Sequence, residues 1–418
     1  MRNAALLAFV LASVLALVLA LVLAACGDDG DHHTMIVIDG HGSDSGSHDA
    51  PAQDGPNLVK LDFYGTPDLI EYRDGTGPWV VPTQSNQEYL LHVTDDYQVV
   101  VACSFSGLAG NTDSEQLDAT YGDGAEQFMS CQSGGTTDAT FAVTGQMLLP
   151  GSVDMQDTAT GATSPWSFSL NVSAGTHDLI AVGATKMLIR RNLSFTAATA
   201  VADLDVATAG TVFPTTTATV VGAGPGDTSE LRSEWFTGND VAMLSDTTDL
   251  TLIQPPNSLI AANDEPELEL EVTNMAHTVT RSIFVVGPSP GTTFTLPPVL
   301  TGVTFGATAA ATAMWGTLPA YTTVNVIAFG GSATAFLEQN VSATKAWLDK
   351  TGATSLAFES DAANYDPAWN VPLTGAFVEL AVSDPIDTNG STSRTAVIQG
   401  AGPTLLHSPL RDHRRARR

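Results

Sequence analysis

The sequence predicts an all-β protein made of tandem antiparallel β-sandwich modules. The clearest signal is residues 267–272, where three glutamates alternate with two leucines and a valine. A period of two residues places alternate side chains on opposite faces of a strand, so the apolar ones should face a core and the glutamates solvent. Proline pairs at 255–256 and 297–298 mark loops or sheet edges. No stretch after Cys26 carries a helical period over three turns.

The chain begins with one basic residue, Arg2, followed by an apolar run from Ala4 to Val22 that only Ser13 interrupts. About 20 apolar residues can span the hydrocarbon of a bilayer. A short basic start, an apolar segment and small residues at its end are typical of a secretory signal. The run is long for a signal, so an uncleaved membrane anchor is the alternative.

The residues that end this run are Leu23-Ala24-Ala25-Cys26, which resemble the lipobox of bacterial lipoprotein precursors. The resemblance implies a cleaved signal peptide at residues 1–25, a diacylglycerol on the sulfur of Cys26 and an acyl group, such as palmitate, on its new amino terminus. Two or three acyl chains anchor a protein stably where one does not. The alternative is an ordinary signal or anchor beside which Cys26 has no role.

The next residue, Gly27, resembles the sorting position of outer-membrane lipoproteins in enteric bacteria. We therefore expect the protein in the bacterial cell envelope, on the outer membrane, with the membrane as its partner through the lipid on Cys26.

Residues 26–56 hold the lipidated cysteine and a tether dominated by Gly, Ser, Asp and His. This composition is typical of a flexible, disordered spacer. Four of the nine His and seven Asp fall within residues 27–56, so a weak transition-metal site is the alternative interpretation.

The rest of the chain divides into a β module at 57–135, a second at 138–208, a β-sandwich region of one or two modules at 209–402, and a basic tail at 403–418. The formal net charge is −29, which argues against nucleic acid as a partner, because nucleic-acid binding needs a basic face. The tail contrasts with this charge, since it carries five Arg. We expect it to be disordered; pairing with anionic lipid and folding back on the acidic body are the alternatives.

Two cysteines remain once Cys26 carries lipid. Cys103 and Cys131 form an even pair in an oxidising compartment, which predicts a disulfide. It would close a loop of roughly 28 residues and stabilise the fold by about 3–4 kcal/mol in the chain-entropy model. Cys103 alternates with Tyr97, Val99 and Val101, so it should point into a core. Free buried thiols are the alternative.

The second module shows a strand in which Phe168, Leu170 and Val172 alternate with polar residues, followed by a turn at 174–175. The stretch 166–179 resembles the carboxypeptidase-regulatory-like, transthyretin-like β-sandwich modules. That resemblance implies a small antiparallel sandwich used as a spacer or accessory module, and it implies no catalytic residues. The stretches 74–79 and 99–103 are similar to uncharacterised bacterial surface lipoproteins, a likeness that brings no function.

Two short motifs suggest catalysis or nucleotide binding and are better explained as turns. Residues 287–291 match G-x-S-x-G, but Pro290, after Ser289, has no backbone N–H to offer an oxyanion. The following residues, 292–295, indicate a strand where the motif requires a helix. The glycine-rich stretch 222–226 lacks the third glycine and the βαβ context of a dinucleotide loop.

We expect two aspartate pairs, Asp95-Asp96 and Asp203 with Asp205, to be solvated strand ends, with ligation of Ca²⁺ as the alternative. We expect core packing for the six tryptophans, with a sugar-stacking platform as the alternative. They are Trp79, Trp166, Trp235, Trp315, Trp347 and Trp369.

The sequence therefore predicts a lipid-anchored extracytoplasmic protein with a non-enzymatic binding or structural role, no cofactor or metal, and a protein or glycan as its unidentified ligand. One alternative is a lipid-anchored hydrolase or carbohydrate-active protein whose site is assembled from distant residues. This alternative predicts convergent carboxylates with displaced pKa values. A Ca²⁺-dependent adhesin-like spacer is the other alternative.

Overall fold

A sheet of eleven strands organises the computed structural model. The structure describes residues 57–400 except 65, 86–87, 105–111, 125, 131–139, 156–157, 163–165, 288–290, 307–310, 333–334, 373–375 and 389–390. In this part of the chain strands dominate, and the two α-helices are short. The predicted all-β class is confirmed.

The first region supplies seven strands. They are β1 (Asn57–Tyr64), β2 (Leu69–Asp74), β3 (Thr83–Ser85), β4 (Glu88–Val93), β5 (Asp96–Ser104), β6 (Thr112–Thr120) and β7 (Glu126–Ser130). A single 3-10 turn, Tyr121–Asp123, follows β6.

The second region supplies eight strands and one helix. They are β8 (Thr140–Gln146), β9 (Gly151–Met155), β10 (Thr158–Ala162), β11 (Ser167–Ser173), β12 (Gly175–Gly183), β13 (Lys186–Phe195), β14 (Thr199–Ala200), α1 (Val206–Ala209) and β15 (Thr211–Val212).

The third region supplies fifteen strands and one helix. They are β16 (Thr215–Thr217), β17 (Thr219–Val221), β18 (Thr228–Phe236), β19 (Val241–Thr247), β20 (Thr251–Ile253), β21 (Glu265–Thr273), β22 (Val279–Val286), β23 (Thr293–Thr295), β24 (Thr304–Phe305), β25 (Thr312–Met314), β26 (Thr323–Ser332), β27 (Ala335–Thr344), α2 (Lys345–Thr351), β28 (Ser355–Ala357), β29 (Phe377–Thr388) and β30 (Ser391–Gly400). A 3-10 turn, Pro367–Trp369, lies between β28 and β29.

The long sheet has the strand order β19-β18-β21-β22-β30-β29-β26-β27-β6-β5-β2. Strands from 57–135 and from 209–402 therefore share one sheet. They meet where β27 pairs with β6 in parallel, from Leu337 opposite Thr112 to Ala343 opposite Asp118. The other neighbours within this sheet pair antiparallel.

A second sheet, β3-β4-β1-β7, packs over the β2-β5-β6 end of the long sheet. Tyr97, Val99, Val101 and Cys103 of β5 all lie in the core between the two sheets, which confirms the predicted direction of Cys103. The opposite face of β5 is buried as well, against a core that includes Trp315 and Leu348 of α2. This end of the long sheet is therefore covered on both faces.

Residues 140–212 form a separate sandwich of two sheets, β10-β9-β12-β13-β15 and β11-β8-β14. In β11 Phe168, Leu170 and Val172 are buried and the residues between them are exposed, as their alternation predicted. This sandwich contacts the long sheet through a smaller apolar cluster that includes Met187 and Trp235.

Strand β21 corrects one expectation. Leu268 and Leu270 are buried as predicted. Glu267 and Glu269, which we expected to face solvent, are only 5% and 6% exposed. Alternation in sequence separates the two faces of a strand but does not show whether the second face is also covered.

None of the helices in the described part of the chain has the length and apolar character needed to cross a bilayer.

Candidate functional site

The residues predicted for covalent chemistry fall mostly outside the described residues. Cys26 and Cys131 both lie there, so lipidation and the disulfide stay predictions. Cys103 is the last residue but one of β5. It lies in the same core as Met129 of β7, which is two positions before Cys131.

Three of the four aspartates that are candidate Ca²⁺ ligands have other partners. Asp95 and Asp96 both bind the ammonium group of Lys350, and Asp205 accepts from the backbone N–H of Thr208 at the start of α1, at 3.0 Å. Within the described residues, no group of three or more His, Cys, Asp or Glu is placed to hold a metal ion. The His- and Asp-rich tether lies outside those residues.

The two glycine-rich motifs lie at turns or beyond the described residues. Ser289 falls in the gap at 288–290. Gly222 and Gly226 have φ angles of 96° and 85°, values that favour glycine, in the turn between β17 and β18. Arg281 fastens this turn by donating to the carbonyl of Gly222 at 3.0 Å and to Asp227 at 3.1 Å.

All six tryptophans pack against apolar cores, as predicted. Two also lie beneath an arginine: the guanidinium carbon of Arg73 is 4.8 Å from the ring centre of Trp79, and that of Arg191 is 5.5 Å from Trp235.

Arg73 belongs to a network that joins β2, β5 and β6 to the segment after β28. Its guanidinium donates to Gln98 and to the carboxylate of Glu359. The side-chain amides of Gln98 and Gln116 both donate to Oδ1 of Asp118, at 2.7 and 2.9 Å. The backbone N–H of Glu359 donates to Gln116 at 2.7 Å, which closes the network.

Asp118 is the most perturbed carboxyl of this network. Burial raises its pKa to about 7, against the opposing effects of the amides of Gln116 and Gln98, with Glu359 raising it slightly further and Arg73 lowering it. Catalytic acids often have a carboxyl pKa near neutral pH, but carboxyl groups in structural networks can have one too.

Further polar contacts hold the same segment against the sheet. Asn364 donates to Glu71, a residue of β2 that is only 1% exposed. The indole of Trp79 donates to Asp361 at 3.2 Å. The hydroxyl of Tyr365 donates to Ser114 of β6 at 3.1 Å. The network therefore fastens a long connection to the sheet, because each of these contacts joins residues far apart in sequence.

A second network lies where the sandwich of residues 140–212 meets the long sheet. Arg191 of β13 forms ion pairs with Asp178, at 3.3 Å, and with Asp264, at 2.5 Å. It also donates to the carbonyl of Leu259 at 2.7 Å. Asp264 accepts a further hydrogen bond from the indole of Trp235 at 3.2 Å.

His177 and Asp240 complete this junction as a buried pair. Nδ1 of His177 is 2.9 Å from Asp240 Oδ1, and Nε2 is 3.1 Å from the carbonyl oxygen of Ser173. A carbonyl only accepts, so Nε2 carries a hydrogen. The short contact at Nδ1 then requires another proton between the ring and the carboxyl group. Burial raises the pKa of Asp240, although His177 opposes the shift.

A third cluster lies on the β1-facing side of the long sheet. We call it the acid row: Asp113 and Glu115 of β6, Glu338 of β27 and Glu379 of β29, each at most 5% exposed. Burial raises the pKa of Glu115 well above its usual range, and the neighbouring Asp113 and Glu338 raise it further.

No protein-family model matches this chain, and no curated protein or solved structure matches it either. The first two networks use buried charge to join distant parts of the chain. The acid row gathers buried carboxyl groups on one face of the long sheet.

Proposed function

We propose that this protein is a lipid-anchored, extracytoplasmic component of the bacterial cell envelope with a non-enzymatic binding or structural role. The observation that carries the proposal is Leu23-Ala24-Ala25-Cys26 at the end of the apolar run 4–22. A thiol directly after small residues is what lipid attachment and cleavage of the backbone require.

The position of the folded body supports this proposal. The first described strand begins at Asn57, so the 30 residues 27–56 separate it from Cys26. A Gly/Ser-rich linker of this length has a root-mean-square span of roughly 30 Å. A spacer of this length would hold the folded body away from the lipid headgroups. The body could then bind a protein or glycan partner.

The construction of the body supports a structural or binding role. Arg73, Arg191 and Arg281 each bind a carboxylate more than 50 residues away, at separations of 286, 73 and 54 positions. Buried or half-buried pairs of this kind hold chain segments in fixed positions. We assign the module at 138–208 the accessory or spacer role that its resemblance implies.

The alternative of a hydrolase or carbohydrate-active protein is favoured by one observation, the raised pKa of Asp118. Its described contacts argue for a structural role, since both donors to Oδ1 are amides that transfer no proton. An assay on chromogenic glycosides and esters separates the two functions. Turnover that Asp118→Asn abolishes without unfolding the protein would establish the alternative.

Detergent phase partition tests the proposed anchor. The native protein should enter the detergent phase and Cys26→Ser should stay in the aqueous phase, because the variant cannot take a diacylglycerol. Cys131→Ser is the matched control: it makes the same change of side chain and should partition like the native protein. Equal partition of native protein and Cys26→Ser would reject lipidation at Cys26.

A further inference from the structure

The turn between β18 and β19, residues 237–240, contacts the sandwich of residues 140–212, and we call it the junction turn. Its last residue, Asp240, is 4% exposed. Oδ1 of Asp240 lies 2.9 Å from Nδ1 of His177 in β12, and Oδ2 accepts from the backbone N–H of Asp178. Asn239 donates to Oδ1 of Asp178 at 3.0 Å. Side chains of the junction turn therefore bind β12 directly.

The junction turn is also closed by hydrogen bonds of its own. The backbone N–H of Thr237 donates to the carbonyl of Asp240 at 2.7 Å. The backbone N–H of Asp240 donates to the hydroxyl of Thr237 at 2.9 Å. These bonds do not involve the sandwich, so the turn can separate from β12 without losing its own shape.

One proton decides whether His177 can bind both of its partners. Nε2 donates to the carbonyl of Ser173, 3.1 Å away, so in a neutral ring Nδ1 would carry only a lone pair. That lone pair would face Asp240, and the 2.9 Å contact is a hydrogen bond only if the ring and the carboxyl group share a further proton. Without this proton the single hydrogen of the ring can serve Ser173 or Asp240, but not both.

The other charged groups at this junction have partners of their own. Asp178 accepts from Arg191 at 3.3 Å, and Arg191 also binds Asp264. Asp154 of β9 accepts from the backbone N–H of Met243 in β19 at 2.9 Å. Histidine is the side chain that ordinarily titrates closest to neutral pH, at about 6.5. Changes at this junction between pH 6 and 9 therefore report on the shared proton.

We propose that His177 and Asp240 form a pH-sensitive switch, which binds the junction turn to the sandwich while they share a proton and releases it at alkaline pH. A histidine in an unfolded chain loses its proton near pH 6.5, whereas the bound pair keeps it. The free energy that holds the turn therefore falls as pH rises above about 6.5. Burial raises the pKa of Asp240 and Asp178 adds to the rise, although His177 opposes it. This inference does not depend on the lipid anchor.

Amide hydrogen exchange of the full chain in detergent, followed by mass spectrometry at pH 6 and pH 9, tests the proposal. After correction for the intrinsic effect of pH on exchange, we expect the segments 174–180 and 236–243 to exchange at least tenfold faster at pH 9. Strand β22 serves as the internal reference and should show no such change, because it lies two strands away from β18.

The variant Asp240→Asn should abolish this response to pH. Its amide can donate to the unprotonated Nδ1 of His177 while its oxygen still accepts from Asp178, so each hydrogen bond forms without the shared proton. We expect both segments to exchange slowly at pH 6 and at pH 9. The control, Asp361→Asn, makes the same change at an exposed residue and should keep the native response.

Equal exchange of the native segments at the two pH values would overturn the proposal, and so would an Asp240→Asn variant that responds as the native protein does. If Asp240→Asn does not fold, His177→Gln decides the question, because glutamine does not titrate and exchange should then be the same at both pH values. A native response in His177→Gln would assign the effect to another group and reject the switch. Its matched control, His92→Gln, changes an exposed histidine of β4 and should respond as the native protein does.

Discussion

A single buried carboxyl group, that of Asp118, should make the stability of the protein depend on pH. Its pKa is about 7 in the folded chain and 3.8 ordinarily. The folded protein therefore keeps a proton that the unfolded chain loses as pH rises from about 4 to 7, and the free energy of unfolding falls over that window. The difference of about 3 in pKa corresponds to about 4 kcal/mol.

The free energy of unfolding of the native protein should fall by about 4 kcal/mol more between pH 4 and 7 than that of Asp118→Asn, because the variant lacks the titrating carboxyl group. Urea denaturation at a series of pH values measures it. The matched control, Asp361→Asn, changes an exposed residue of the same network and should leave the native pH dependence. If the unfolding free energy of Asp118→Asn changed with pH as that of the native protein does, Asp118 would not have a raised pKa in the folded protein.

Two adjacent arginines allow a direct test of the junction network. Arg191→Ala leaves Asp178 and Asp264, with side chains that are 1% and 0% exposed, without their cation. Removing one partner of a buried pair costs about 3–5 kcal/mol. Chemical denaturation should show a loss of this size.

Arg190→Ala is the natural control, because this side chain donates only to the backbone carbonyls of Ala202 and Asp203. We expect it to cost less than about 1.5 kcal/mol. Equal losses for the two variants would show that Arg191 does not hold the junction together.

The strands β5 and β7 make the predicted disulfide testable. Cys103 lies in the core that also contains Met129, so a bridge to Cys131 would tie the two packed sheets together. Under non-reducing conditions we expect Cys103 and Cys131 to resist alkylation, and reduction should make both of them reactive. Cys103→Ser should lower the free energy of unfolding by about 3–4 kcal/mol. Alkylation of both Cys103 and Cys131 in the unreduced protein would exclude the bridge.

Strand positions were largely predictable from sequence, whereas strand partners were not. The alternation in β5, β11 and β21 gave the correct buried faces because a period of two is a local property. The pairing of β27 with β6 is set by packing between distant segments, which no local pattern records. The burial of Glu267 and Glu269 was missed for the same reason.

The polar networks were beyond prediction on similar grounds. Arg73 and Glu359 are 286 positions apart, and His177 and Asp240 are 63 apart. Each residue looks like an ordinary surface charge in sequence. Lipidation of Cys26 can be predicted from sequence because its signal lies in the four adjacent residues 23–26, and it stays a prediction. Cys26 is thus the best-defined candidate site in the sequence, because all the residues of its motif are adjacent.

The molecule as a whole combines a predicted lipid anchor, a spacer and a cross-braced β body. The long sheet takes strands from both ends of the described chain, and the sandwich of residues 140–212 is fastened beside it by Arg191. This construction suits a protein that holds its shape at a membrane surface. Its function depends first on whether the body is attached there.

The intact mass of the protein extracted from membranes tests this account most directly, measured beside a Cys26→Ser variant expressed in the same way. We predict a mature chain that starts at residue 26 and carries a diacylglycerol and an acyl group, both lost in the variant. An unlipidated mass, or a variant that is cleaved and anchored as well as the native protein, would contradict the account.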